Sequence, residues 1–348
     1  MVTIELPGDP SSALALLAPV GLAGILDEAG LGPAYLKWTF DEVESGREVV
    51  PSRAQVTCSA ESVDVIAAAV RRHAERHLQA DSWLQARIDG LSNAGKGLFS
   101  PRAGIKPDDW EGYLAQRNET LDRLGPLMTD LDWAFLAGLG EPAWWHAGDK
   151  DAQPDKGASR WEMKTRNRGE EIMVNRLHLL ARAVAARTVG AMSAGLTGAA
   201  LVDECGANKP DSRTPTGFTI PQPTDNVLAW LALWGLAALP VAAVSSSTHE
   251  GLSQSPGMWP RRGVHPQMAA LPVVTQPYSQ RAFRQLVTTG AFDLGAFGSD
   301  DDALPARTWL GSQGVVAIVR FPIRKTGSAS APERQLLSGH ATRTTPNG

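Results

Sequence analysis

A chain of 348 residues that is 43% hydrophobic can bury a substantial core, as one large domain or two of ordinary size. Its formal net charge of −4 excludes a global basic signature for nucleic acid, so any such contact must be a local patch. Cys58 and Cys205 are too few for a disulfide framework, and the N-terminal residues do not form a secretory signal, which points to the cytoplasm.

Val2–Leu6 alternates as a first strand. Residues 11–29 are predicted as a helix capped by Ser11 or Ser12, with Leu14, Leu17, Gly21, Leu22, Ile25 and Leu26 facing inward and a kink at Pro19. Tyr35–Phe40 and residues 48–58 are predicted as two more strands, an α+β beginning. Residues 61–91 follow as a helix. His73 and His77 stand at i and i+4, a spacing that can bind a metal, but no further ligand completes a site and Glu75 and Arg76 suggest a solvated surface. No metal or cofactor is expected.

The run from Gly90 to Gly97 formally satisfies Gly-x4-Gly-Lys, yet Gly97 replaces the hydroxyl residue that holds magnesium, and the preceding segment reads as helix where a strand is needed. Lys96 could still approach a phosphate. Residues 108–124 and 127–139 are predicted helices, started by Pro107 and Pro126. Residues 149–157 are polar, with Pro and Gly, and suggest a mobile loop. The densest basic segment is Ser159-Arg160-Trp161-Glu162-Met163-Lys164-Thr165-Arg166-Asn167-Arg168-Gly169. Arginine and lysine interleaved with tryptophan suit a phosphate backbone with unstacked bases. Arg160, Lys164, Arg166 and Arg168 are therefore the candidate nucleic-acid contacts, with Arg213 and Lys96 as weaker ones.

Residues 170–196 are predicted as one long helix, with Met173, Leu177, Leu180, Val184 and Thr188 as its buried stripe and Arg176, Arg182 and Arg187 on its polar face. Residues 206–223 form a Pro-rich polar loop. Thr224-Asp225-Asn226 then offers N-cap side chains before residues 227–244, which contain no charge. A run of about 18 apolar residues is the lower edge of a membrane span. Its Ala and Gly content, Pro240 and the lack of flanking basic clusters favour a buried central helix instead. Trp230 and Trp234, four apart, should anchor the core, their indole N–H groups bonded from the preceding loop. Residues 245–277 are irregular, Gln280–Val287 is helical, Asp300-Asp301-Asp302 is an acidic turn, and residues 314–323 are a strand. Beyond Thr326 the composition predicts disorder. The expected architecture is α+β, a mixed sheet with a helix-rich centre and long Pro/Gly-rich loops. Residues 1–325 would be one domain (a sub-boundary near 149–158 is possible), and 326–348 a disordered tail.

Three of these features together resemble a known group. They are the N-terminal strand leading into the Gly21-Leu22-Ala23-Gly24-Ile25-Leu26 helix, the basic Lys164-Thr165-Arg166 segment before a long helix, and the Asp211-Ser212-Arg213-Thr214 loop leading through Pro223-Thr224-Asp225-Asn226 into Ala229-Trp230-Leu231-Ala232-Leu233-Trp234-Gly235. The pattern resembles the divergent CRISPR-associated proteins of the subtype I-U/I-G group, subunits of Cascade-like antiviral effector complexes. The resemblance implies a non-enzymatic subunit that contacts guide RNA or target DNA and other effector subunits, base pairing reading the sequence while protein contacts backbone and shape. No catalytic residue carries over. A reading of another class remains beside it: a hydrolase or transferase using Asp203, Glu204, Asp211, Arg213 and His249, whose paired carboxylates could do acid–base or magnesium work.

Overall fold

The computed structural model describes residues 1–40, 51–141, 157–163, 172–212, 216–243, 253–260, 266–328 and 331–344. The fold is α+β. Its centre is a pair of apolar helices, α1 (Ala13–Glu28) and a later helix, Asn226–Trp234. From Ala13 to Leu26 every residue of α1 is buried, and so is every residue of the later helix. Two elements without a solvated face must be enclosed by other layers, and here they are pressed against each other. Glycine permits the approach. A methyl group at Gly21 would overlap the Leu231 carbonyl oxygen, and one at Gly235 would lie 2.6 Å from the carbonyl oxygen of Leu17. Pro19 lies inside a single continuous α1.

One side of α1 is covered by an antiparallel sheet of β1 (Val2–Leu6), β3 (Pro51–Cys58) and β2 (Tyr35–Phe40), in the order β1-β3-β2. Ile4, Leu6, Leu36, Trp38, Ala54 and Val56 alternate inward, as period-2 patterning requires. The helix α2 (Val63–Arg76) is capped by Ser62 and ends where residues 77–82 turn, so the predicted continuation to residue 91 does not occur. Ser82 instead caps a short 3-10 turn that buries Trp83 and Leu84. Two more helices, α3 (Trp110–Leu124) and α4 (Asp130–Leu139), follow, α4 closed at its start by a capping box of Thr129 and Asp132.

The predicted long helix of residues 170–196 is broken. A π-helical turn, Met173–Leu177, runs into α5 (His178–Ala186); Arg187 then leaves helical geometry, and Thr188 caps α6 (Val189–Thr197). The break has a cause: Arg187 turns inward to bond Glu204, Asp225 and the carbonyl of Val202. The central helix becomes α7 (Asn226–Trp234) and continues as a 3-10 turn, Gly235–Ala238.

After the short strands β4 (Ala242–Ala243), β5 (Ser253–Gln254) and β6 (Met258–Trp259), a second sheet forms around β7 (Met268–Val274) and β8 (Val315–Ser328). The helices α8 (Gln280–Val287), α9 (Gly290–Phe297) and α10 (Asp300–Ser312) lie between them in sequence. The Asp300–Asp302 triplet is the first turn of α10, capped by Ser299, where acidic side chains favour the helix N-terminus. Every strand pairing among the described residues is antiparallel, so the sheet is not mixed in the way expected. Reciprocal backbone bonds between Leu36 and Tyr278 tie β2 to the residues entering α8.

The expected disordered tail is also corrected. β9 (Ala331–Leu336) pairs back along Ile323–Ser328, and β10 (His340–Arg343) continues along the lower half of β8. Leu336 and Arg334 are buried. A polar composition is compatible with order here because the backbone completes a sheet whose other strands supply the apolar face. The possible sub-boundary at 149–158 falls mostly outside the described residues. No helix among the described residues is long and apolar enough to cross a membrane.

Three substitutions test this centre. Gly21→Ala should lower the unfolding free energy by about 3 kcal/mol, because backbone rather than a flexible side chain blocks the new methyl. Gly190→Ala, where nothing lies within 4 Å, is the control and should be neutral or stabilising by roughly 0.5–1 kcal/mol. Trp234→Ala should cost about 3–5 kcal/mol by denaturant unfolding. Equal midpoints for Gly21→Ala, Trp234→Ala and the parent would contradict the assignment.

Candidate functional site

The basic segment begins inside the protein. Residues 157–163 are all buried, and Ser159 N–H bonds the Leu139 carbonyl at 2.7 Å. Arg160 N–H donates to Ser255 Oγ at 2.8 Å, and Trp161 Nε1 donates to the Pro256 carbonyl at 2.8 Å. Arg160 is thus a core residue and not the surface phosphate contact expected from its place in a charge run. Lys164, Arg166 and Arg168, and Arg213 on the neighbouring loop, lie outside the described residues. Lys96 is half-buried, and its ammonium donates to the Ala103 carbonyl at 3.2 Å; no strand or helix frames its loop as a phosphate loop would need.

Around Arg160 the fold gathers three more arginines from distant segments. Arg102 sits on the turn after Phe99, Arg176 on the π-helical turn and Arg334 on β9. Their exposures are 5%, 5% and 1%, against 2% for Arg160 and 1% for Glu162 beside them. The Glu162 carboxylate accepts from Arg102 Nε and from the Ile172 backbone N–H. Met163 packs against Gly217, whose carbonyl accepts the Leu336 N–H and so holds β9 in place.

Burial is the first cause that drives these guanidiniums down from their ordinary basicity. Arg160 falls to about 9, with Arg102 and Arg334 adding repulsion. Arg334 falls to about 9, repelled by Arg102 and Arg176 while Glu162 partly opposes the shift. Arg176 falls to about 10, Glu162 opposing and Arg102 adding to the fall. All three still carry charge at neutral pH. Such an arrangement offers no nucleophile and no general acid. It offers a concentrated, rigid set of fork-shaped donors, the chemistry of anion recognition.

Sequence reasoning singles out one of the four as a candidate site residue. In the chain Arg176 reads as part of a polar helix face, Arg334 as part of a tail, and Arg102 carries no local signal. Only tertiary structure brings them together.

The carboxylates of the other reading are engaged by different partners. Asp203 is buried and accepts from Ser212 Oγ at 2.6 Å, Gly206 N at 2.8 Å, Asn226 Nδ2 at 2.9 Å and Thr224 N at 3.3 Å. Glu204 takes two bonds from Arg187, at 2.6 and 2.7 Å. Asp211 is exposed, and Arg213 and His249 lie outside the described residues. Asp203 and Glu204 brace the loop before α7, which fixes the entry of the central helix.

His73 and His77 prove to be core residues. With Trp83, Phe135, Trp230 and Trp234 they form an aromatic cluster whose ring centroids lie 4.4–6.2 Å apart along its contacts. The Trp230 and Trp234 indole N–H groups do not bond the preceding loop as expected; they make no hydrogen bond among the described residues, and both indole rings pack against the imidazoles. His77 Nδ1 lies 3.1 Å from Ser82 Oγ, and its Nε2 lies 3.5 Å from Asp132 Oδ1. Serine, histidine and aspartate in a row suggest hydrolysis, but Ser82 is buried, its Oγ accepts the Leu84 N–H, and Asp132 is held by Arg76, Trp83 and Thr129. The row is internal bracing. Among the described residues no group of three or more metal-ligating side chains converges.

Burial holds both imidazoles well below their ordinary value, assisted by His77 and Arg76 at His73 and by Arg76 at His77. They are neutral in the folded chain, whereas the unfolded chain takes up protons as pH falls through about 6.5. Stability contributed by their neutral state is therefore complete above that pH and declines below it. Urea unfolding between pH 7.5 and 5 should show a loss approaching roughly 2.7 kcal/mol per unit below pH 6 for the pair. His73→Phe should remove about half of that slope. A parent curve flat across the window would refute the neutral pair.

No family model matches this chain, and no curated protein or solved structure matches it.

Proposed function

We propose that this chain is a non-catalytic, cytoplasmic subunit of an RNA-guided CRISPR antiviral effector complex of the subtype I-U/I-G group, contacting the backbone of guide RNA or target DNA. The observation that carries the reading is the convergence of Arg102, Arg160, Arg176 and Arg334 at the base of the basic segment 159–169. Guanidinium forks match phosphate oxygens, so arginines gathered beside a basic segment suit a nucleic-acid backbone. Net charge is negative, so this local concentration, and not the overall field, supplies the attraction. Other effector subunits would cover the remaining surface. The carboxylates of Asp203 and Glu204 are engaged in loop bracing, and no observation favours the hydrolase or transferase reading over this one.

The test is binding of the full chain to single-stranded RNA, single-stranded DNA and duplex across salt concentrations, alone and in a reconstituted complex. Replacing Lys164, Arg166 and Arg168 together by Gln should weaken binding about equally for all sequences. The salt slope should fall by about one unit for each phosphate that is no longer neutralised. The variant should co-purify with its effector partners as the parent does. Unchanged affinity and slope, or a parent chain that neither binds nucleic acid nor joins such a complex, would overturn the proposal.

A further inference from the structure

We propose that the cleft between α1, α4 and α8 binds a small amino-acid-type zwitterion with an apolar or aromatic side chain. This goes beyond the nucleic-acid reading and does not depend on it.

Space argues first. The cleft has a volume of about 790 Å³, within the range of small-molecule sites. Each helix lends it one stripe: Gly24 and Asp27 on α1, Asp130, Trp133 and Ala137 on α4, and Gln280, Arg284 and Thr288 on α8. Spacings of three and four residues put the members of each stripe on one helix face. Trp133 is 43% exposed and offers its indole to an apolar or aromatic group.

A buried amide argues second. Gln280 is 9% exposed, and its Nε2 donates to the Val20 carbonyl at 3.2 Å. Gly24 makes room for it, since a methyl group there would overlap the amide. With its nitrogen committed to main chain, the Gln280 oxygen accepts no hydrogen bond among the described residues. A buried acceptor of this kind calls for a donor, and a ligand ammonium would supply one.

Charge argues third. Glu28 accepts from Arg76 and Thr129, and Asp130 pairs with Arg281. That leaves one carboxylate and one guanidinium with capacity to spare, on different helices. Asp27 uses Oδ1 for the Ala34 N–H at 2.8 Å, and its Oδ2 accepts nothing among the described residues. The Arg284 guanidinium makes no hydrogen bond or ion pair among the described residues. A ligand with one cation and one anion answers both. Its ammonium would meet Asp27 and the Gln280 oxygen, and its carboxylate the fork of Arg284. A polyanion would find the same arginine but meet three carboxylates around it, Asp27, Glu28 and Asp130.

Melting scans and equilibrium dialysis on the full chain test this with L-phenylalanine, L-tryptophan and L-leucine. Each is compared with the amine lacking its carboxylate and the acid lacking its ammonium. At least one amino acid should raise the melting temperature at millimolar concentration. It should also bind at least ~10-fold more tightly than either of its one-charge analogues. Arg284→Gln should melt as the parent does, having no partner to lose, and should erase the advantage over the amine. Asp27→Asn keeps the oxygen that serves Ala34 and should erase the advantage over the acid. If Asp27→Asn does not fold, the analogue comparison on the parent and Arg284→Gln decide. No response to any of the three amino acids overturns the site. So does an amine or acid that binds as tightly as its amino acid, or an advantage that survives in Arg284→Gln. Nucleic-acid binding should be the same in Arg284→Gln and the parent; its loss in the variant would assign the cleft to phosphate and overturn the zwitterion.

Discussion

The rest of the molecule depends on one contact, the backbone-to-backbone crossing of α1 and α7. Two helices without a polar face can coexist in water only if each hides the other and both are wrapped. Gly21 and Gly235 let them meet at a distance at which any side chain would intrude on a carbonyl. Close approach increases dispersion contact and excludes water from the seam. It also leaves no tolerance for repacking, since the opposing atoms are main chain. The sheet β1-β3-β2, the helices α2 and α4 and the turn Gly235–Ala238 are the wrapping.

Polar side chains then set how the wrapping is oriented. Asp203 and Arg187 act as two hubs at the entrance of α7, the first satisfying four donors and the second joining α6, the loop and the N-cap Asp225. At the other flank Asp132 accepts from Arg76, Trp83 and Thr129 and thereby links α2, the turn at Ser82 and α4. Each buried carboxylate is met by several donors, which offsets its desolvation. The aromatic cluster between these hubs uses neutral imidazoles as packing pieces, a role that only a strongly depressed basicity allows.

In the arginine cluster, too, a buried carboxylate is met by donors, Glu162 accepting from Arg102 and from the Ile172 N–H. Burial and the neighbouring guanidiniums lower the basicity of Arg160, Arg176 and Arg334 there. β9 delivers Arg334 to the cluster while its backbone bonds Gly217 and its Gln335 side chain bonds the Thr219 carbonyl.

What the sequence determined by itself was whatever local periodicity and composition specify. The α+β class, the strands at Val2–Leu6 and Tyr35–Phe40, the helices near Trp110–Leu124 and Gln280–Val287, and the burial of Trp230 and Trp234 were all legible, because apolar spacing and caps act over a few residues. Tertiary structure decided the rest. Arg187 broke a strongly helical pattern because partners 15 to 38 residues away bind it more favourably than solvent does. His73 and His77 look like a solvated pair until α7 is laid against them. Residues 331–343 are polar enough to suggest disorder, yet a strand needs only a partner edge, and β8 provides it. Arg102, Arg176 and Arg334 have no common signal in the chain, because a site assembled from four segments exists only after those segments have been brought together.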